Sequence, residues 1–244
     1  MSNLSHLNLT KAQKNKLNST RRFSVMEFLS EEIWTTASNL SLLISVKHDE
    51  YTRRLMDRML EDGLILKREF TTTEGKRVIY LLSDIGYLEL GYDVKPTYSF
   101  KISNQNFIHN EKVQRLKIFA ILGKKDWLNE REISQNKEYK SRPDGLLIIN
   151  DTKISIELQR NRYSLIALKT KIAKCLADCF NGNFSKILFV CTDNLNANVM
   201  KKALLSVQIL KGKDHRDVNF TEEYKAKFEF IDYNEFTSYI QNFI

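Results

Sequence analysis

The apolar positions of the chain fall into two series, separated by a stretch without helical period at residues 92–105. In the first series, Phe23 to Ile33 carries apolar residues at helical spacing, and Thr35-Thr36-Ala37-Ser38 forms a capping cluster. Leu40 to Val46 then reads as a short apolar helix. His48, Asp49 and Glu50 open a third helix that runs through Leu60, its two acids suited to the positive N-terminal end of the helix dipole. Tyr51, Leu55, Met59 and Leu60 share one face of it, while Arg53, Arg54 and Arg58 leave that face for solvent. Gly63 suits a C-cap. Leu64–Leu66 and Val78–Leu81 read as strands joined by a turn over residues 72–76, and Leu82-Ser83-Asp84 caps a last helix.

The second series opens with an amphipathic helix from Phe107 to Leu122. Leu146–Ile149 is an apolar run, Asn150-Asp151 breaks it, and Lys153–Gln159 then alternates. Ile154, Ile156 and Leu158 point to one side, and Lys153, Ser155, Glu157 and Gln159 to the other. The expectation is a hairpin with one face on a core and a wet, polar opposite face. Further on come a helix over Tyr163–Cys179, a buried strand at Lys186–Val190, a helix over 194–206, a strand at Phe228–Ile231 and a terminal helix over 233–243. The whole predicts an α/β protein (α+β overall) with four segments: a flexible arm at 1–22, a small domain at 23–91, a linker at 92–105 and a larger α/β domain with a mixed sheet at 106–244.

Composition and charge narrow the class. No stretch approaches the ~18 apolar residues of a membrane span, so no membrane insertion is expected, and the N-terminus lacks the apolar core of a secretory signal. Three cysteines without paired spacing fit a reducing compartment, and hence a cytoplasmic protein. Lys and Arg total 38 against 30 Asp and Glu, for a net charge of +8, which favours an anionic partner such as nucleic acid. Lys11, Lys14, Lys16, Arg21 and Arg22 lie in an N-terminal stretch with no acid, which reads as a disordered basic arm able to touch phosphate.

Three helices followed by a hairpin is the order of a winged helix, and residues 23–91 resemble one. That resemblance places the third helix in a DNA major groove with Arg53, Arg54 and Arg58 facing the duplex, and puts Lys76 and Arg77 at the wing tip within reach of phosphate. The alternative is that these side chains only solvate an outer face or pair with Asp57 and Glu61.

The candidate chemistry lies on the hairpin. If Asn150-Asp151 is a two-residue turn, Asp144 lies directly opposite Glu157 on one face, with Cβ atoms about 4.5–5.5 Å apart. A four-residue loop sets Asp144 against Gln159 and keeps the face; a three-residue loop breaks the alignment. Two carboxylates that close repel, so one must rise in pKa unless a cation separates them. Oxygen donors with an amide nearby suit Mg²⁺ or Mn²⁺.

Pro143-Asp144 followed by Glu157-Leu158-Gln159 resembles the core motif of the PD-(D/E)xK nucleases, with Gln in the place of the usual Lys. With the run HNEKVQR at 109–115 and RPDG at 142–145, the second domain is similar to the MobC-type plasmid mobilization relaxases, which have a restriction-endonuclease-like fold. The resemblance implies metal-dependent nicking of one DNA strand at a plasmid transfer origin, with partners that include the duplex origin, the nicked single strand and an accessory or coupling mobilization protein. It implies Asp144 and Glu157 as metal ligands and Glu111 as a further ligand, direct or through water. Gln159 stands where a lysine usually acts, and an amide takes no proton at neutral pH. His109, Lys169 or Lys171 would then supply what is missing, while Arg115 and Arg142 would hold phosphate or brace the acids. Tyr139 and Tyr163 are the tyrosines nearest the motif, should the route be covalent. Two rival readings are a DNA-binding regulator on a degenerate nuclease fold and a site-specific endonuclease that cuts both strands.

Overall fold

The computed structural model describes residues 10–46, 49–72, 75–93, 102, 104–212 and 216–243. The chain forms two units, Met1–Gln114 and Arg115–Ile244. The first contains α1 (Lys11–Glu32), β1 (Trp34–Thr35), α2 (Ala37–Leu43), α3 (Asp49–Glu61), β2 (Ile65–Thr72), β3 (Gly75–Leu82), α4 (Asp84–Glu89) and the opening half of α5 (Asn104–Leu122). Its strands make one antiparallel sheet in the order β1-β3-β2. Thr36 and Ser83 cap α2 and α4 through their hydroxyls, as the sequence predicts.

Two expectations change here. Residues 11–22, expected as a flexible arm, are the first turns of α1, because Thr10 and Gln13 form a capping box that starts the helix well before Phe23; residues 1–9 of that arm lie outside the described residues. His48 and most of the expected linker, residues 94–101 and 103, also lie outside them. The unit boundary falls within α5 rather than at 92–105. The reason is a polar lock: Gln114 Nε2 donates to the Trp34 carbonyl at 2.7 Å, and Thr35 Oγ1 donates to Gln114 Oε1 at 2.8 Å. Phe107 stacks on Trp34 with ring centroids 5.0 Å apart.

The second unit holds the rest of α5, then β4 (Asp126–Asn129), α6 (Glu130–Gln135), β5 (Gly145–Ile149), β6 (Thr152–Gln159), α7 (Leu165–Phe180), β7 (Lys186–Cys191), α8 (Ala197–Leu205), β8 (Ile209–Lys211), β9 (Asp217–Asn219), α9 (Glu222–Lys225) and β10 (Phe228–Asp232). One 3₁₀ turn and α10 (Phe236–Gln241) close it. The main sheet is mixed, in the order β10-β7-β6-β5-β4: β4, β5 and β6 run antiparallel, and β6, β7 and β10 are parallel. The fold is therefore mixed α/β, as the sequence pattern predicts. No helix among the described residues is long and apolar enough to cross a membrane.

Asn150 and Asp151 both adopt positive φ, 47° and 63°, the backbone of a two-residue hairpin turn. This fixes the register: Gly145 pairs with Ile156 and Leu146 with Ser155, so Asp144 comes opposite Glu157. Gly145 is required because a Cβ there would lie 1.9 Å from Trp127 Cζ2. The expectation of a wet polar face on β6 is overturned. Ser155 and Glu157 are buried at 0% and 3% exposure, because β6 is the central strand and Leu168, Ile172 and Cys175 of α7 join the core on that side. Ser155 Oγ has no hydrogen-bond partner among the described residues.

Candidate functional site

The hairpin register brings Asp144 and Glu157 to one end of the central strand. The Asp144 N–H donates to the Ile156 carbonyl at 3.0 Å, which extends the ladder one residue past β5. Its carboxylate Oδ2 accepts the Leu158 N–H at 2.7 Å, which clamps the acid across the strand end. Glu157 meets Lys171 of α7, whose Nζ stands 2.6 Å from Glu157 Oε2. Lys171 also donates to the Ser141 carbonyl at 3.2 Å. One ammonium thus ties the central strand to the loop that carries Asp144. Cys175 Sγ approaches Glu157 Oε1 at 4.0 Å.

The electrostatics follow from burial. Loss of solvent pushes Glu157 up to about 8, Lys171 opposes the rise, and Asp144 and Glu130 add repulsion. Burial works to lower Lys171, yet the Glu157 charge and hydrogen bond raise it overall, so it stays an ammonium. Tyr163, part-buried beside the cluster, is raised by burial and then by Glu157; Cys175 is raised for the same two reasons. Neither the phenol nor the thiol is ionised at neutral pH. Tyr139 and Tyr163 both pack on the core.

The loop before Asp144 is held by a residue that the sequence reading missed. Asp178, fully buried on α7, accepts the Lys140 N–H at 2.8 Å, the Ser141 N–H at 2.7 Å and the Ser141 hydroxyl at 2.6 Å. It is the only acid in α7 and lies two turns beyond Lys171 on the core-facing side, which is the signal that would have found it. A buried acid at that spacing needs donors from a neighbouring segment. Glu130, at the start of α6, was missed as well; nothing in its local sequence singles it out.

Gln159 Nε2 donates to the Asn161 carbonyl. Glu111, expected as a ligand, belongs to the first unit and accepts a hydrogen bond from the Thr36 hydroxyl at 2.8 Å. His109 lies on the same half of α5, part-buried. Arg115 is part-buried on α5, and Arg142 is exposed at φ 47° two residues before Asp144. Of the two lysines weighed as substitutes for Gln159, Lys171 reaches Glu157.

In the first unit, Arg53, Arg54 and Arg58 are all exposed on α3, while Leu55, Met56 and Met59 are buried. Arg54 pairs with Glu50 on the same helix. Lys76 and Arg77 are exposed at the start of β3, next to the strand turn.

No protein-family model matches the chain, and no curated protein or solved structure matches it either.

Proposed function

We propose that the chain is a metal-dependent DNA-nicking enzyme that starts plasmid mobilization, a relaxase with a restriction-endonuclease-like second unit. The observation that carries this reading is the convergence of Asp144, Glu157 and Lys171 at the end of a β-hairpin in the middle of a mixed sheet. The sheet order and the helix α7 after β6 support the nuclease resemblance, and Lys171 offers from that helix the ammonium that Gln159 cannot provide. In the first unit, the helical order and the β1-β3-β2 sheet support a winged helix whose Arg53, Arg54 and Arg58 meet duplex DNA and whose Lys76 and Arg77 meet phosphate. Three free cysteines fit a cytoplasmic site of action.

Asp144 and Glu157 fit a hard divalent cation. Both are oxygen donors, burial and then the Asp144 charge raise Glu157, a cation would offset both effects, and Mg²⁺ or Mn²⁺ is commonly held by one or two carboxylates with water and phosphate oxygens in the remaining positions. When bound, such a cation polarises the scissile phosphate and sharpens a water nucleophile. The protein's own part is positional. The Leu158 N–H fixes Asp144, Lys171 fixes Glu157, and Asp178 fixes the loop before Asp144. The amide of Gln159, which donates to the Asn161 carbonyl, takes no proton. An accessory mobilization protein would present the origin.

The deep burial and raised pKa of Glu157 favour a second reading, a DNA-binding regulator built on the same fold without catalysis. A supercoiled plasmid carrying the transfer origin of the source element separates the two. Open-circle product that needs Mg²⁺ or Mn²⁺, vanishes with EDTA and vanishes with Glu157→Ala supports the enzyme. Linear product points to a double-strand endonuclease. Retained DNA binding with no cleavage, even with the accessory protein present, selects the regulator.

A further inference from the structure

A second feature of the Arg115–Ile244 unit lies apart from the acidic cluster. The outer face of α7 and the β8–β9 pair enclose a groove of about 570 Å³. Its floor is aliphatic, with Leu176 and Leu210, and one wall is Phe180, a large ring that is 63% exposed. That ring is braced edge-on against Tyr224 at 5.4 Å between centroids. Lys140, Lys174 and Lys211 stand around it, and no acidic side chain lines it among the described residues. Lys211 shares its charge with Asp217 at 2.6 Å, an exposed pair that leaves the rim positive.

We propose that this groove docks an acidic amphipathic helix of a partner protein. The wall that α7 contributes runs from residue 173 to residue 181, about 12 Å at 1.5 Å per residue, which matches two turns of a bound helix. An apolar floor takes the leucine-type side chains of such a helix, and a ring of ammonium groups around that floor selects carboxylates on its flanks. Single-stranded nucleic acid fits less well. It needs stacking rings for successive bases and cations along the path of its backbone, whereas here the floor is aliphatic and the lysines stand at the rim.

A display library of random peptides of about 16 residues, selected on the full-length chain, tests this. The enriched peptides should be net acidic with apolar residues at helical spacing. A synthetic copy of the strongest should lose about tenfold or more in affinity for Phe180→Ser, and similarly for the double variant Lys174→Glu/Lys211→Glu. All three substitutions are at exposed positions, so circular dichroism should match the parent chain. Absence of enrichment, enrichment of basic or uncharged peptides, or binding that ignores these substitutions would overturn the proposal. So would a single-stranded oligonucleotide whose affinity drops with Phe180→Ser while that of the peptides does not. Self-association that disappears with Phe180→Ser would assign the groove to a second copy of the chain and likewise overturn it.

Discussion

Replacing Lys171 by Met removes the ammonium that faces Glu157 and leaves a similar volume on α7. The pair is 2.6 Å apart with side chains 17% and 4% exposed. At an effective dielectric of 20 the gross attraction at that distance is about 6 kcal/mol, offset by several kcal/mol of desolvation for each ion. Breaking one side of such a pair typically costs about 3–5 kcal/mol, because the surviving charge stays buried. Glu157 has an escape, since it can take a proton. Its value is raised from 4.5 to about 8, so the folded chain binds an extra proton between those limits. The stability tied to that proton is complete below 4.5 and lost as the pH rises through 8. At pH 6 Glu157 is already neutral, and Lys171→Met should cost only the hydrogen bond and some packing, about 1–2 kcal/mol. At about pH 9 the parent chain has released that proton while the variant, lacking the ammonium, retains it, so the cost should be larger by about 1.4 kcal/mol, the linkage for one pH unit above 8. Urea unfolding followed by circular dichroism at both pH values measures this. The double variant Lys171→Met/Glu157→Gln should recover about 2 kcal/mol or more relative to additivity at the higher pH. Equal costs at the two pH values, or strict additivity, would refute the coupling.

Three further outcomes are expected. Asp178→Asn puts amide hydrogens against the donors of Lys140 and Ser141 and should cost about 2–4 kcal/mol in urea unfolding, with nicking lost more than DNA affinity. Gly145→Ala drives a Cβ into the Trp127 indole and should destabilise by about 3 kcal/mol or more, with a changed near-ultraviolet dichroism spectrum; a loss under about 1 kcal/mol contradicts the contact. Arg53→Ala/Arg54→Ala/Arg58→Ala should weaken duplex binding and flatten the slope of log K against log salt by about 2–3, as expected for lost phosphate contacts; an unchanged slope removes α3 from the interface.

Much of the second unit was legible because its signals are local. The Asn150-Asp151 break set a two-residue turn, and that turn alone put Asp144 across from Glu157. The alternation of β6 gave the correct faces but the wrong solvent exposure, since alternation does not say what covers the polar side. That depends on α7 packing over the middle of a five-stranded sheet, a contact between distant segments. Asp178 was hidden for the same reason. The short elements β1, β4, β8 and β9 carry too few residues to show a period. In the first unit, the Thr10–Gln13 cap, the Tyr51–Asn18 hydrogen bond and the Arg22–Asp62 ion pair hold a polar, Lys-rich stretch helical, where charge composition pointed to disorder. The Thr36–Glu111 hydrogen bond joins segments far apart in sequence, which no local spacing shows.

The most direct test of the central claim is a count of Mn²⁺ ions bound to the full-length chain by electron paramagnetic resonance titration, with a short DNA duplex present. The account predicts saturable binding that is lost in both Asp144→Asn and Glu157→Gln. Binding that survives both substitutions, or no saturable binding to the parent chain, would contradict a metal centre at the Asp144–Glu157 pair.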